Sequence, residues 1–183
     1  MRASRGDIVG RWLWFLAWVP LFVCPFRLSA QTAPEYEVKA AYLLNFAKFV
    51  DWPPAAFAGA DSPIAICILG KDPFGHSIDE LVQGEAVNGR RLMVRRIATA
   101  PAAQTCQIVF TQSSGKDASE ILGSLGPGVL TVGEGGSFIR DGGIISFLIE
   151  SRHVRFDIDQ KAAETAELKL SSRLLAVARS VQK

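Results

Sequence analysis

Short apolar runs placed between helix-like segments constrain the fold of this chain more than any other feature. Residues 64–69 (Ile-Ala-Ile-Cys-Ile-Leu) are apolar throughout, and two further strand-like runs follow at 106–110 and 129–132. A short continuous apolar run is typical of a strand that is buried on both faces. Such strands need helices on both sides of their sheet, so the pattern predicts an α/β domain.

Helical spacing surrounds these strands. A helix is predicted over residues 35–50, which precede Pro53. Its predicted apolar face is made of Val38, Ala41, Tyr42, Asn45, Phe46 and Phe49. This spacing predicts an amphipathic first helix. Shorter helices are predicted at residues 78–82 and, after a cap at Ser113-Ser114, through Ala118, Ile121 and Leu122.

The remaining elements predict the edge and the end of the sheet. Residues 92–97 follow an Asn88-Gly89 turn and mix apolar with basic side chains, as an edge strand does. Two extended runs, 144–149 and 154–158, predict a hairpin. A helical segment then starts at an Asp159 cap and breaks near a second cap at Ser171-Ser172. The prediction is a single domain with a mostly parallel sheet flanked by helices on both faces and an antiparallel hairpin near the C-terminus.

The first 30 residues have the order of a secretory signal peptide. Three arginines precede the apolar run 12–23, and a small-residue site ends at Ala30. This order predicts that residues 1–30 are cleaved and that residues 31–183 form the mature domain. A transmembrane helix would need about 20 apolar residues, more than this run supplies. A lipoprotein would need a small residue before Cys24, where Val23 stands.

Processing leaves a nearly neutral chain. The first 30 residues hold four of the 20 Lys and Arg and one of the 18 acids, which leaves 16 bases and 17 acids. Nucleic-acid binders need clustered cations that displace counterions from phosphates. The one basic cluster, formed by Arg90, Arg91, Arg95 and Arg96, is predicted to be the solvated ends of a strand. We therefore expect no nucleic-acid partner.

Two cysteines, Cys67 and Cys106, remain after processing. An even pair in an oxidising compartment is more often a disulfide than two free thiols. A doubly wound sheet with strand order 2-1-3-4-5 places its first and third strands side by side. Cys67 lies on the predicted first strand and Cys106 at the start of the third, so the predicted topology and the predicted disulfide agree.

The mature sequence carries no recognisable catalytic or metal-binding signature. Its two histidines, His76 and His153, stand neither beside a cysteine nor in a metal-ligand pair. The motifs of common hydrolases, metalloproteases, dithiol oxidoreductases and P-loop enzymes are missing as well. We expect neither an enzyme nor a bound cofactor or metal.

Two other features have a structural and a ligand-binding interpretation. The glycine loop at 133–136 could cradle a phosphate if a helix followed it, but Asp141-Gly142-Gly143 and another strand follow, which favours a surface turn. The aromatic residues Tyr42, Phe46, Phe49 and Trp52 could form a ligand box. Core packing is the usual role of aromatics at helical spacing, so we predict that they pack in the core.

Two segments near the ends of the mature chain resemble a known family. Residues 39–53 (Lys-Ala-Ala-Tyr-Leu-Leu-Asn-Phe-Ala-Lys-Phe-Val-Asp-Trp-Pro) resemble the opening signature of the YfiR family of exported bacterial proteins. Residues 156–175, from Phe-Asp-Ile-Asp to Arg-Leu-Leu, are similar to its second signature. Residues 66–70, 73–75 and 142–147 match its middle strands, so the resemblance covers nearly all of the mature chain.

The resemblance implies a periplasmic regulator that holds an inner-membrane diguanylate cyclase inactive by binding its periplasmic sensor domain. An outer-membrane lipoprotein would release it, and the output would be cyclic di-GMP level and biofilm formation. The family repressor has two disulfides. Cys67 and Cys106 match one of them, whereas the hairpin region has no cysteine for the other. A second copy of the chain, in a homodimer, is a further partner to expect.

The expected contact surface comprises the hairpin and the last helical segment, including Phe147, Phe156 and Leu174. A small sheet can leave such apolar residues partly exposed, although burial in the core is their common fate. One alternative is a small-molecule sensor that uses the crevice at the carboxyl ends of the strands, near residues 70–74 and 111–114. Another is an enzyme, which would need a reactive cluster assembled from distant residues.

Overall fold

The computed structural model describes residues 32–183, with side chains from residue 35 onward; the predicted signal peptide lies outside these residues. The helices are α1 (Thr32–Phe49), α2 (Ser77–Val82), α3 (Gly115–Ser124), α4 (Gln160–Thr165) and α5 (Ser172–Val177). The strands are β1 (Val50–Asp51), β2 (Ile64–Leu69), β3 (Ala86–Val87), β4 (Arg90–Ile97), β5 (Ile108–Thr111), β6 (Leu130–Glu134), β7 (Ile145–Glu150), β8 (His153–Asp159), β9 (Lys169–Leu170) and β10 (Ser180–Gln182). Short 3-10 helices occupy Pro54–Ala56 and Ala100–Thr105.

Eight strands form one sheet in the order β10-β8-β7-β6-β5-β2-β4-β3. Strands β4, β2, β5, β6 and β7 run parallel, and they are the predicted strands in the order 2-1-3-4-5. Strand β8 returns antiparallel to β7 through a two-residue turn at Ser151 and Arg152, both at positive φ. The predicted topology and the predicted hairpin are confirmed.

Side chains of β2 alternate between two cores, which is why its whole sequence is apolar. Ile64, Ile66 and Ile68 belong to the larger cluster, with α1, α2 and the hairpin. Cys67 and its neighbours Ala65 and Leu69 belong to a smaller cluster, which includes residues of α3 and of the Ala100–Thr105 helix. Helices therefore cover both faces of the parallel strands, and the predicted α/β class is confirmed.

The disulfide joins the two cysteines across the smaller cluster. Cys67 lies on β2 and Cys106 lies two residues before the neighbouring strand β5, and their Cα atoms are 6.0 Å apart. Both residues are buried. Because adjacent parallel strands hold these Cα atoms at bridging distance, the sheet topology itself accommodates the bond.

Helix α1 turns a different face to the core from the one that the spacing predicted. Its buried side chains are Lys39, Ala40, Leu43, Leu44, Phe46 and Ala47. Val38 and Asn45, which we had placed on the apolar face, are exposed. Apolar residues lie around most of this helix, so their periodicity does not select one face. The predicted core role of the aromatic residues is confirmed: Phe46 is buried, and Tyr42, Phe49 and Trp52 pack against the main cluster.

The last predicted helical segment is divided into α4, β9, α5 and β10. The caps are as predicted: Asp159 accepts a hydrogen bond from the amide of Ala162, and Ser171 accepts one from the amide of Leu174. Strand β9 pairs antiparallel with β1, and the amide of Ser171 donates to the carbonyl of Phe49. The two segments that carry the family resemblance thus meet in space, through a two-residue pairing that no periodicity could indicate.

Arg91 and Arg96 of β4 are exposed and Arg90 and Arg95 are partly exposed, in agreement with the prediction of solvated strand ends. Two of these arginines also contact neighbouring segments. Arg96 donates from Nε to Asp72 at 2.9 Å and from its terminal nitrogens to Asp79 at 2.7 and 2.6 Å. The guanidinium of Arg90 lies 3.8 Å from the centroid of the Phe57 ring. These side chains tie the loops that flank β2 to the edge of the sheet.

The ion pair between Arg96 and Asp79 predicts an acid-dependent contribution to stability. The hydrogen bond from Arg96 lowers the pKa of Asp79 below its ordinary value. A carboxylate with a lowered native pKa stabilises the fold above its unfolded pKa, and this contribution disappears as pH falls through the native pKa. We expect Arg96→Gln to cost about 1 kcal/mol at neutral pH, because the pair is exposed. Urea unfolding at neutral pH and near pH 3 checks this; an equal cost at both would contradict it.

The glycine loop after β6 is more than the predicted surface turn. The ring of Phe138 is fully buried between Gly133 and Gly143. A Cβ atom at Gly133 would lie 2.3 Å from this ring, and one at Gly143 would lie 2.1 Å from it. The two glycines are therefore needed for close packing around an aromatic side chain. The loop leads into strand β7 and not into a helix, as predicted.

Candidate functional site

The three residues predicted to bind a partner are core residues. Phe147 and Phe156 are each 1% exposed, and Leu174 is 2% exposed. The expectation that the sheet leaves them partly exposed is wrong, because helix α1 covers this end of the sheet. Tyr42 and Phe46 of α1 pack against both Phe147 and Phe156, with ring centroids between 5.2 and 6.0 Å apart.

Other apolar residues on the same elements are exposed. Val38 on α1 is 45% exposed, Ile149 on β7 is 50% exposed and Val177 on α5 is 62% exposed. Tyr42 on α1 and Val154 on β8 are half-buried. We call these five residues the α1–hairpin surface.

Strand register places Ile149 and Val154 at one end of one face of the sheet, and the packing of Tyr42 places α1 beside them. Ile149 pairs with Val154, and the next pair on the same face is Phe147 with Phe156. Tyr42 lies over that second pair, and Val38 precedes Tyr42 by one helical turn, toward the hairpin tip. The amide of Arg179 donates to the carbonyl of Phe156, which brings the end of α5 beside β8. Apolar side chains of α1 and the hairpin thus lie next to a buried aromatic pair, and the end of α5 lies beside the same hairpin.

A polar cluster lies beside this surface, at the carboxyl ends of the parallel strands. We call it the Lys39 cluster; its members are Glu35, Tyr36, Lys39, Gln112 and Glu134. The side chain of Lys39 is 4% exposed, and its ammonium pairs with Glu35 and, at 2.6 Å, with Glu134. It also lies 4.5 Å from the centroid of the Tyr36 ring. A buried cation needs such partners, because its desolvation is otherwise very costly.

The hydroxyl of Tyr36 is held in its protonated form within this cluster. Burial, with a further contribution from the charge of Glu134, raises the pKa of Tyr36 to about 12. The hydroxyl donates to Glu134 at 3.3 Å and accepts from the side-chain amide of Gln112 at 2.8 Å. Gln112 also donates to Glu134 at 3.2 Å. The first turns of α1 are therefore bonded to residues that end β5 and β6.

The crevice considered for a small-molecule ligand is occupied by α1 itself. The ring of Tyr36 packs edge-on against Phe74, which follows β2, at 5.5 Å between centroids. The side-chain amide of Gln112, which follows β5, donates to the hydroxyl of Tyr36. Parallel strands commonly bind ligands at this place, between the first and third strands, but the chain fills it with its own helix.

Two open cavities lie elsewhere. One, of about 550 Å³, is lined by Asp51, Trp52, Pro53, Pro54, Glu164, Glu167, Leu168 and Lys169. Another, of about 440 Å³, lies between α3 and α4 and includes Leu122, Leu125, Val129 and Ile144 among its lining residues. Residues 32–183 contain no group of three or more His, Cys, Asp or Glu side chains arranged to hold a metal ion.

Sequence reasoning missed the Lys39 cluster. Glu35 and Lys39 have the spacing of a helical ion pair, so one half of the cluster could have been found. Glu134 stands 95 residues after Lys39, inside a segment that was interpreted as a plain turn. Only the sheet topology brings these two residues together.

Comparison with known proteins agrees with the signature segments. The model of the YfiR/HmsC-like family matches residues 36–179, which include both signatures and every strand from β1 to β9. The chain belongs to the YfiR/HmsC-like family. Among the described helices, none has the length and apolar character to cross a bilayer.

A solved structure supports the fold of this family member. The crystal structure of a conserved domain protein from Vibrio cholerae O1 biovar El Tor strain N16961 superposes with a TM-score of 0.53 and 13% sequence identity. The match covers 80% of this chain and 60% of the Vibrio chain, so the present chain spans less than two thirds of the length of that chain. At this identity the likeness concerns the fold alone. A comparison with curated proteins gave no match.

Proposed function

We propose that this chain binds the periplasmic sensor domain of an inner-membrane signalling protein, a diguanylate cyclase, and represses it. Cyclic di-GMP level and biofilm formation are the outputs of this regulation. An outer-membrane lipoprotein that competes for the chain would relieve the repression. Family membership supports this assignment over residues 36–179.

The observation that carries the proposal is the α1–hairpin surface. Four large apolar side chains are exposed within residues 35–183, and three of them, Val38, Ile149 and Val177, belong to this surface. Exposed apolar residues that cluster mark interaction sites more often than isolated ones do. The sequence predicted a contact surface on the hairpin and the last helical segment, and the proposed surface includes residues of both. Its contact residues are exposed ones, and they replace the buried Phe147, Phe156 and Leu174.

The buried aromatic residues have a supporting role in this proposal. Phe147 and Phe156 hold Tyr42 and the hairpin in position, and they do not contact the partner. Binding energy in protein interfaces is concentrated in a few well-packed central residues with rigid support. Tyr42, which is half-buried against both rings, is the proposed centre of the interface.

A charge-insertion series tests the proposed surface. Val38→Glu, Ile149→Glu and Val177→Glu are each expected to weaken repression, because a carboxylate buried in an apolar interface loses its hydration. A loss of about tenfold or more in affinity is expected for each. The measurement is the cyclic di-GMP level in cells that lack the chromosomal gene and express each variant, with periplasmic protein amounts checked by immunoblot.

Met93→Glu is the matched control. Met93 is 39% exposed, but it lies on β4, near the opposite edge of the sheet. This variant is expected to repress like the wild-type protein. Deletion of the gene without a rise in cyclic di-GMP would contradict the proposed function. If Met93→Glu alone lost repression, the function would stand and the proposed surface would be wrong.

A further inference from the structure

The Lys39 cluster fastens the start of α1 to the sheet through one carboxylate. Glu35 lies on the same helix as Lys39, so their ion pair holds nothing else in place. Glu134 is the last residue of β6, and it accepts from both Lys39 and Tyr36. Among the charged groups of the cluster, Glu134 alone joins α1 to the sheet.

Tyr36 and Lys39, which contact Glu134, lie on the same turn of α1 as Val38, a member of the α1–hairpin surface. Tyr36 and Lys39 point into the cluster, whereas Val38, between them in sequence, is exposed. Tyr42 follows one turn later. The position of Val38 relative to Ile149 therefore depends on whether this turn is docked against the sheet.

Glu134 is also connected to helix α3 through the loop that follows it. Glu134 directly precedes the loop between β6 and β7, in which Gly135 and Gly142 have φ values of 83° and 103°. Asp141, in the same loop, accepts a hydrogen bond from the amide of Gly115 at the start of α3. The backbone that carries Glu134 is therefore linked through this loop to the start of α3.

We propose that the Lys39 cluster is a latch that controls the α1–hairpin surface. With Glu134 in place, the first turns of α1 lie on the sheet and the surface is complete. When Glu134 is withdrawn, the ammonium of Lys39 loses its partner on the sheet, and the turn that carries Tyr36, Val38 and Lys39 leaves the sheet to hydrate it. Val38 is then displaced from Ile149, the partner no longer binds the surface, and repression ends. This inference rests on the proposed function, because it concerns the regulation of the same surface.

Two variants of the same charge change test the latch. Glu134→Gln keeps the shape of the side chain but removes its charge. Glu164→Gln is the control, because Glu164 is exposed on α4 and its carboxylate accepts only from Gln160 within the described chain. Hydrogen exchange of the purified mature protein should become about tenfold faster at the amides of residues 39–43 in Glu134→Gln, a typical size for coupling between sites. The control should exchange like the wild type.

A third variant distinguishes the latch from direct partner contact by Glu134. Lys39→Met combined with Glu134→Gln removes the buried cation together with its partner, and an apolar replacement of a buried ion pair is often tolerated. This double variant should recover slow exchange and should repress cyclic di-GMP synthesis in complemented deletion cells, where Glu134→Gln fails to repress. A direct contact of Glu134 with the partner would leave the double variant unable to repress.

The outcomes separate the two proposals. If gene deletion leaves cyclic di-GMP unchanged, the proposed function is overturned and the regulatory inference with it. If deletion raises cyclic di-GMP but Glu134→Gln represses normally despite faster exchange, the proposed function stands and the inference is overturned. Unchanged exchange in Glu134→Gln would also overturn it, since the helix would not depend on the latch.

Discussion

Reduction of the disulfide between Cys67 and Cys106 is expected to lower the free energy of unfolding of the mature protein by about 4 kcal/mol. The two cysteines are 39 residues apart, and a bond across a loop of this length removes much of the conformational entropy of the unfolded chain. The bond also lies in the smaller core, with both residues buried. This cost is a large share of the total stability of a domain of this size.

Chemical denaturation of residues 31–183 in oxidised form and after complete reduction measures this difference. The double variant Cys67→Ala with Cys106→Ala is the control, because its unfolding should not change when reductant is added. A difference of less than about 1 kcal/mol between the oxidised and reduced protein would show that the bond does not constrain the unfolded state as the chain-entropy account requires.

Gly143→Ala is expected to lower the free energy of unfolding by about 3 kcal/mol. The added Cβ would lie 2.1 Å from the Phe138 ring, far closer than any van der Waals contact, and the ring is fully buried. Gly133 is packed against the opposite edge of this ring, so a shift of Phe138 away from residue 143 would bring the ring into overlap with Gly133. The same substitution at Gly133 is expected to have a similar effect.

Gly136→Ala is the matched control within the same loop. A Cβ at Gly136 meets nothing within 4 Å, and this residue has no positive φ. Its substitution is expected to change stability by less than about 0.5 kcal/mol. Combining Gly143→Ala with Phe138→Leu should cost less than the sum of the two single variants, because the smaller side chain makes room for the methyl group. Additive costs would show that the clash with Phe138 is not the cause.

Local sequence patterns predicted the elements of the sheet because burial on both faces demands apolar residues at every position of a strand. Residues 64–69 met that condition, and β2 spans the same residues. Asp159 and Ser171 were identified as caps because a short side-chain oxygen beside a helix start can satisfy an amide locally. These features need only neighbours in sequence.

The buried face of α1 could not be predicted in this way. Its apolar residues surround most of the helix, so the choice between Val38 and Lys39 for the core depended on what lay beneath each. A lysine is an unfavourable core residue on its own. Its burial became acceptable only because Glu134 reached it from the end of β6.

The candidate interface was also predicted only in part from the sequence. The sequence indicated the hairpin and the last helical segment, but it could not distinguish Phe147, which α1 covers, from Ile149, two residues further on the same face. Exposure at the end of a strand depends on how far the covering helix extends. The signal peptide and the partner remain predictions of the sequence and of family membership.

By itself, the sequence determined the α/β class, the order of the parallel strands, the caps of α4 and α5 and the family, because alternation, turn residues and signature segments act over a few neighbouring positions. The cap predicted at Ser113-Ser114 is wrong in part, because Ser114 precedes α3 but its side chain accepts no capping hydrogen bond. Tertiary structure alone decided the pairing of β1 with β9, the burial of Lys39 beside Glu134 and the packing of Phe138 between Gly133 and Gly143. Each of these depends on residues distant in sequence or on the exact approach of a loop to itself. Their energies arise from contacts that exist only once the sheet has formed.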